Sequence, residues 1–161
     1  MSENVQEEMS KVPGFQFVDH IAVAVKQGEL EPQVKAYALL GFKEIHREEV
    51  LGMDQVRESL LRIGKGPNLI QLLEPLSPES PVQKLIEKNG GRGGLAHVAF
   101  RVRSAQEAYD YMKNAGFQLI DKAPRKGSRG TTVFFVHPKS RAENPFGFLI
   151  EVVEDPNGER S

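Results

Sequence analysis

The sequence predicts an α+β fold in which one βαβββ unit is used twice in tandem. Each copy opens with a β-rich run that carries a histidine near its start, His20 in the first and His97 in the second. Each run is followed by a segment of helical spacing that ends in glycine, where a left-handed residue stops a helix. Gly41 follows His20 by 21 residues and Gly116 follows His97 by 19, so the spacing repeats as well as the order.

The end of each copy provides a third observation. Gln71 lies inside the apolar run 68–73 and follows His20 by 51 residues. Glu151 lies inside the apolar run 148–153 and follows His97 by 54 residues. Each copy therefore closes with a strand that carries one polar side chain among apolar ones.

In the first unit, which we place at 15–76 after an N-terminal tail at 1–14, a strand over 17–25 leads to a helix. That helix is expected to start near Glu31 and Pro32, because proline is favoured in a first helical turn. The remaining strands of this unit are predicted at 43–49, 55–63 and 68–73.

A linker at 77–93 contains a short helix over 82–88, and the second unit at 94–154 then repeats the order, before a C-terminal tail at 155–161. After a strand that ends at Val102, Ser104 is placed to cap a helix and Glu107 to complete a capping box. The remaining strands of this unit are predicted at 118–123, 131–137 and 146–153.

Composition limits the class of protein. With 161 residues, 39% of them hydrophobic and 27% charged, the chain forms one compact domain or two small halves with a shared core. A net charge of −1 gives no general attraction to nucleic acid or to an anionic membrane. The absence of cysteine excludes disulfides, thiolate metal sites and a cysteine nucleophile, and it fits a reducing compartment.

The sequence also gives an expectation for location. No apolar run approaches the roughly 20 residues that span a bilayer. The first eight residues are acidic and polar, unlike a secretory signal. We therefore expect a soluble cytoplasmic protein.

Side chains alternate between the two faces of a strand, so the neighbours of each histidine can be assigned. His20 shares its face with Ala22 and Ala24, and His97 shares its face with Ala99. The bulkier neighbours, such as Val23 and Phe100, lie on the opposite faces. Each histidine is thus predicted to face an open space beside small side chains.

Two copies provide two histidines, a glutamine and a glutamate, a mixed nitrogen and oxygen set that suits a divalent first-row ion with open positions for substrate. A single histidine at a strand start is more often an ordinary one that is hydrogen-bonded to backbone. Repetition at matched offsets favours the metal site.

The order of these motifs resembles the vicinal oxygen chelate superfamily, also called the glyoxalase fold, and within it the methylmalonyl-CoA epimerases. The resemblance covers roughly residues 17–153. The motifs that carry it are Asp19-His20-Ile21-Ala22, His46-Arg47-Glu48-Glu49, Gln71 before Glu74-Pro75-Leu76, Gly94-Leu95-Ala96-His97-Val98-Ala99-Phe100, His137-Pro138-Lys139 and Leu149-Ile150-Glu151.

The resemblance implies that the mostly antiparallel sheet curls around a metal cleft. It implies a divalent ion, commonly cobalt in preparations of the family, with ligands at His20, Gln71, His97 and Glu151. Nickel, manganese, magnesium and zinc stay open, because this donor set accepts several metals. A homodimer is a further implication of the family.

The resemblance also implies the reaction, which is epimerisation of methylmalonyl-CoA or a close 2-substituted acyl-CoA. One acid or base role falls on Glu58 and a second on Glu151. One group removes the α-proton, the divalent ion stabilises the resulting enolate, and a group on the other face returns a proton. His46 and Glu49 are alternatives to Glu58, but Arg47 and Glu48 beside them indicate an exposed, charge-paired strand.

A basic segment around Gly127 suggests contacts to an acyl-CoA substrate. Tentative substrate-binding residues are Lys126, Ser128, Arg129 and Lys139. Glycines beside cations suit phosphate recognition, although a solvated basic loop is an equal alternative. His137 is expected to be structural or near the substrate.

Two departures from the family leave the acyl group open. The loop 140–147 is longer than the family usually shows, and Ala96 stands where many relatives have a second histidine. Two alternative functions stay open with it. One is a glyoxalase-like lyase that acts on a glutathione hemithioacetal, and the other is a non-catalytic member that binds a small molecule.

Overall fold

The computed structural model describes residues 10–140 and 146–157. The remainder of both predicted tails and most of the predicted loop 140–147 lie outside the described residues. The chain divides into two compact units. We call His20–Ala96 the central unit, and the described residues on either side of it the flanking unit.

The central unit has four strands in the order β2-β3-β4-β1. The strand β4 is parallel to β1, whereas β2 pairs with β3 and β3 with β4 in antiparallel fashion. Its elements are β1 (Phe15–Ala24, of which 20–24 belong here), α1 (Leu30–Leu39), β2 (Lys43–Val50), β3 (Val56–Arg62), β4 (Leu69–Pro75) and α2 (Pro81–Lys88).

The flanking unit repeats this arrangement, with strand order β5-β8-β7-β6 and a parallel β5–β8 pair. Its elements are β5 (Gly94–Val102, from 97 onward), α3 (Ala105–Asn114), β6 (Arg125–Lys126), a 3₁₀ turn (Ser128–Gly130), β7 (Thr132–Val136) and β8 (Leu149–Glu154). The predicted α+β class with two βαβββ units is confirmed. None of the helices in the described residues is long and apolar enough to cross a membrane.

The two faces of the central sheet differ in side-chain size, as strand alternation predicts. One face packs larger residues against α1, in a cluster of Val25, Leu30, Leu61 and Leu72. The other face carries Ala22 and Ala24 beside β3, β4 and α2, in a cluster with Val56, Leu73, Ile86 and Ala96. His20 lies on this second face, next to small side chains.

The flanking unit has the same division. Its helix face buries the cluster Val102, Ala105, Ala108, Tyr109, Met112, Phe134, Val136, Ile150 and Val152. The opposite face is smaller and contains Ala99, Val133 and Val153, with Phe135 packed against them. His97 therefore lies on the face away from α3, beside the small Ala99 as the sequence predicts.

The helix ends follow the sequence signals. Gly41 and Gly116 adopt φ of +99° and +90° directly after the first helix of each unit, so both stop signals are confirmed. The predicted Ser104 cap is also confirmed, because Ser104 Oγ accepts a hydrogen bond from Glu107 N at 3.2 Å.

A glutamate from the last strand of each unit also caps the first helix of that unit. Glu74 Oε2 accepts from Gly28 N at 2.8 Å and from Leu30 N at 3.2 Å, at the start of α1. Glu154 Oε1 accepts from Ala105 N at 2.8 Å, at the start of α3. These acceptors satisfy backbone donors that a helix leaves open at its N-terminus.

The predicted strand over 118–123 is wrong. This segment forms an isolated bridge between Leu119 and Val136 rather than a strand. Asp121 explains the break, because its Oδ2 accepts from Phe135 N at 2.8 Å and so replaces a backbone carbonyl in the ladder. On the side of β7 away from β8, the paired strand is instead the short β6.

Candidate metal centre and catalytic base

Gln71 and Glu58 form a buried pair in the central unit. Gln71 lies opposite Leu60 in the β3–β4 pair, two residues from Glu58, so the two side chains share a face. Gln71 Nε2 donates to Glu58 Oε2 at 2.7 Å. A carboxylate accepts hydrogen bonds, so this contact assigns the amide nitrogen to Glu58 and leaves the amide oxygen on the other side.

That amide oxygen is the clearest sign of a ligand site. Gln71 Oε1 is buried and has no hydrogen-bond partner among residues 10–140 and 146–157. A buried polar oxygen without a partner costs about 1–3 kcal/mol, so its retention calls for an explanation. An electropositive partner such as a divalent ion provides one.

His20 stands in a fixed relation to Gln71 within the same unit. In the parallel β1–β4 pair, Ala22 lies opposite Gln71 and His20 lies opposite Leu69. His20 is therefore two residues from the position opposite Gln71, on the same face. Its side chain is buried, with 2% of the residue exposed.

The flanking unit repeats this register with His97 and Glu151. In the β5–β8 pair, Ala99 lies opposite Glu151 and His97 lies opposite Leu149. His97 Nε2 is 3.0 Å from Glu151 Oε2, and both residues are buried. This pair forms a possible His/Glu metal site.

Phe135 borders that pair and was not predicted. It lies directly opposite Glu151 in the β7–β8 ladder, and its ring meets the His97 ring edge-on, with 5.6 Å between centroids. The Arg125 guanidinium lies 5.4 Å from the centre of the Phe135 ring. Strand alternation over 132–136 would have placed Phe135 on this face, had the pairing partner been known.

The donors fit a divalent first-row ion. Buried imidazole nitrogens, one carboxylate and an amide oxygen without a partner are borderline to hard ligands that suit cobalt, nickel, manganese or zinc. Buried carboxylates are costly unless they are paired or bind a metal.

A second histidine and carboxylate group lies beside Glu58. His46, Glu48 and Glu58 each offer one ligand atom within 4.8 Å of the others. His46 Nε2 is 2.8 Å from Glu48 Oε1 and 3.9 Å from Glu58 Oε1. Sequence reasoning set His46 aside as part of an exposed strand, whereas the structure places it next to the candidate base.

The burial of Glu58 differs from what a half-exposed strand would give. Only 3% of this residue is exposed, and it shares its face with Val56 and Leu60. The opposite face of β3 carries Arg57, whose guanidinium donates to Glu49 Oε1 at 2.9 Å and to Glu74 Oε1 at 3.1 Å. The hydrogen bond to Glu49 raises the pKa of Arg57.

Three of the four residues predicted to bind substrate, Lys126, Ser128 and Arg129, lie in β6 or the 3₁₀ turn before β7, whereas Lys139 follows the other end of β7. Lys126 and Lys139 are exposed, and the Ser128 carbonyl accepts from Thr131 Oγ1 at 2.7 Å. Arg129 has a φ of +57° and its Nη1 is 3.3 Å from Asp155 Oδ2. The guanidinium of Arg129 is thus engaged within the protein.

Asp155 also contacts a buried arginine. Arg101 Nη2 is 3.4 Å from Asp155 Oδ2, and Arg101 Nε donates to Asp19 Oδ1 at 2.9 Å. Asp19 and Arg101 are 0% and 3% exposed. Buried charges of this kind are retained where their hydrogen bonds are satisfied. This network holds the turn against the residue that precedes His20.

Comparison with known proteins assigns the family. Residues 19–135 match the model of the glyoxalase, bleomycin resistance protein and dioxygenase superfamily. The chain belongs to this superfamily. Its glyoxalase fold, predicted from the sequence, is confirmed.

Two proteins of this superfamily are similar to the chain over most of its length. The uncharacterized protein YqjC of Bacillus subtilis is 31% identical over 89% of this chain and 94% of its own length. The mitochondrial methylmalonyl-CoA epimerase of Mus musculus is 29% identical over 91% of this chain and 77% of its own. The methylmalonyl-CoA epimerase among these relatives supports an epimerase-type function in this fold.

Solved structures of methylmalonyl-CoA epimerases have the same fold as this chain. A variant of Streptomyces coelicolor methylmalonyl-CoA epimerase in complex with 2-nitronate-propionyl-CoA matches with a TM-score of 0.77 and 32% identity, over 88% of this chain and 99% of that one. That neighbour therefore binds an acyl-CoA analogue.

Proposed function

We propose that this protein is an epimerase that interconverts (2R)- and (2S)-methylmalonyl-CoA, or a closely related 2-substituted acyl-CoA. The observation that supports this most is the Gln71–Glu58 pair, in which a buried amide oxygen without a partner and a buried carboxylate belong to one hydrogen-bonded unit. The relatives named as methylmalonyl-CoA epimerases support the choice of substrate.

A divalent ion would be held by the ligand set that the sequence predicts, His20, Gln71, His97 and Glu151. When bound, such an ion stabilises the negative charge that develops on a thioester oxygen. Cobalt is the first choice for loading in vitro, and nickel, manganese, magnesium and zinc are its competitors for this donor set.

The protein side chains perform the proton transfers in this proposal. Glu58 removes the α-proton from one face of the carbon, and Glu151 returns a proton on the other. Gln71 keeps Glu58 oriented through its amide hydrogen, and the apolar neighbours of Glu58, Val56 and Leu60, exclude water. One carboxylate on each side of the α-carbon is what inversion requires.

Substrate recognition, assembly and location complete the proposal. Lys126, Ser128, Arg129 and Lys139 contact the acyl-CoA. For Arg129 this requires the substrate to share or replace the contact with Asp155. The protein works as a homodimer, as its family resemblance suggests, and in the cytoplasm, as the sequence suggests. Light scattering after size-exclusion chromatography tests the dimer.

The decisive test is exchange of the α-proton in deuterated water. Metal-loaded protein is mixed with racemic methylmalonyl-CoA, and the α-proton signal is followed by proton NMR beside a chelator-treated sample and a Glu58→Gln variant. The proposal is supported if the α-proton signal is lost rapidly in the metal-loaded sample, slowly in the chelator-treated sample and slowly in the Glu58→Gln variant. A rate equal to that of the chelator-treated sample rejects methylmalonyl-CoA, and a glutathione hemithioacetal is then the substrate to try.

A further inference from the structure

Register places two carboxylates side by side in the central unit. Glu48 of β2 lies directly opposite Glu58 of β3, and His46 lies two residues before Glu48 on the same face. Like charges directly opposite one another in an antiparallel pair are destabilising. Some group must therefore hold the Glu48 carboxylate in place beside Glu58.

His46 is placed to do this. Its Nε2 is 2.8 Å from Glu48 Oε1, and because an ionised carboxylate only accepts hydrogen bonds, this nitrogen carries the hydrogen. The same nitrogen is 3.9 Å from Glu58 Oε1, so it stands between the two carboxylates. The side chains of His46 and Glu48 are 32% and 34% exposed, whereas that of Glu58 is 3% exposed.

Glu58 is therefore bordered on both sides by neighbouring strands. On the β4 side, Gln71 Nε2 donates to Oε2 at 2.7 Å. On the β2 side, His46 Nε2 lies 3.9 Å from Oε1. These two groups restrict rotation of the carboxylate from opposite directions, and a carboxylate with a fixed direction is what proton transfer to a bound substrate requires.

We propose that His46, fixed by Glu48, is a positioning residue that aims the Glu58 carboxylate at the substrate. This inference rests on the proposed function, since it assumes that Glu58 removes a proton. It assigns a role to the charged strand β2, whose side chains the reaction otherwise does not use. Loss of the His46 ring frees Glu48 to repel Glu58 and removes one wall of its site.

The consequence is specific to one enantiomer. In the proposed reaction Glu58 serves one face of the α-carbon and Glu151 the other, so a misdirected Glu58 impairs proton removal from only one enantiomer. Loss of stability or of metal would instead slow both. Exchange measured on each enantiomer separately therefore distinguishes a positioning role from a general structural one.

The experiment mixes full-length, metal-loaded protein with pure (2R)- or (2S)-methylmalonyl-CoA in deuterated water. The initial rate of α-proton loss is measured by NMR for each enantiomer. Glu58→Gln first identifies the enantiomer that depends on Glu58. The test variants are His46→Leu, which removes the ring nitrogens, and His46→Gln, which keeps an N–H donor. Arg47→Gln is the matched control, because Arg47 is the next residue along β2 and points to the opposite face.

We expect His46→Leu to slow exchange of the Glu58-dependent enantiomer by about tenfold or more, mainly in kcat, since small misplacements of a catalytic group are costly. In the same variant, the exchange rate of the other enantiomer stays within about twofold of the wild-type rate. The His46→Gln variant recovers part of the lost rate. The Arg47→Gln control changes the rate of neither enantiomer. Equal slowing of both enantiomers, or no slowing of either, overturns the inference while the wild-type rate still supports the proposed function. Absence of exchange in the wild type rejects the proposed function, and this inference with it.

Discussion

Gln71 donates its side-chain amide hydrogen to Glu58 across the β3–β4 pair, with 2.7 Å between Nε2 and Oε2. This contact couples two roles that are usually assigned separately, because the amide whose oxygen is left for a metal also fixes the candidate base. Substitution of either residue should therefore change the hydrogen bonding and orientation of the other. The first prediction tests this coupling.

Gln71→Glu places a second carboxylate against Glu58 and removes the donated hydrogen. In chelator-treated protein we expect a loss of about 3 kcal/mol in the free energy of unfolding, because two buried carboxylates then face each other with no donor between them. Urea denaturation at neutral pH measures it. Gln71→Met, which adds no charge, is the control and should lose less, so equal losses in the two variants would contradict the expectation.

Replacement of a candidate ligand should abolish tight metal binding. We expect His97→Ala to weaken cobalt binding by about 100-fold or more, since even outer contacts of a metal site contribute factors of 10 to 100. Isothermal titration calorimetry on chelator-treated protein measures the affinity. His137→Ala is the matched control: His137 accepts from Lys139 N through Nδ1 at 3.0 Å and is not in the proposed ligand set. Similar losses in both variants would argue against the ligand assignment.

The glutamate caps should contribute measurably to the free energy of unfolding. Glu74→Ala removes the acceptor for Gly28 N and Leu30 N and a partner of Arg57, so we expect a loss of about 2 kcal/mol, the upper range for a helix cap. Chemical denaturation checks this, with the exposed Glu79→Ala as the control. If Glu79→Ala costs as much as Glu74→Ala, the cap is not the cause.

The turn before β7 has no room for a side chain at Gly127. A Cβ there would lie 2.7 Å from Thr131 Oγ1 and 2.9 Å from Val133 Cγ1. We expect Gly127→Ala to cost about 1–3 kcal/mol, as overpacking does. Thermal unfolding of this variant is compared with that of Gly130→Ala, where open space surrounds the Cβ and only the φ of +73° opposes the substitution. A larger loss in Gly130→Ala would contradict the steric argument.

Much of the fold could be predicted because both halves use the same signals. Matched offsets identified the repeat, and alternation assigned His20 and His97 to the faces that carry the small side chains. The direction of Glu58 could not be predicted, because both faces of β3 mix polar and apolar residues and only the partner strand decides which is buried.

The remaining features depend on contacts between distant residues. Glu74 reaches Gly28 over 46 positions and Glu154 reaches Ala105 over 49, and no local motif marks such caps. His46 had to be paired with β3 before its distance from Glu58 could matter. The strand predicted at 118–123 failed because a side chain, Asp121, took the place of a backbone acceptor.

The two helix caps also help to fix the register of the strands β4 and β8. Glu74 comes three residues after Gln71, and Glu154 comes three residues after Glu151, so each strand that carries an oxygen donor is fastened to a helix on its opposite face. A slip of β4 or β8 by one residue would turn the donor away from its site and uncouple the cap at the same time. Each half thus opposes such a slip from both faces of its sheet, and the position of a proposed metal donor is secured by a contact on the opposite face of its strand.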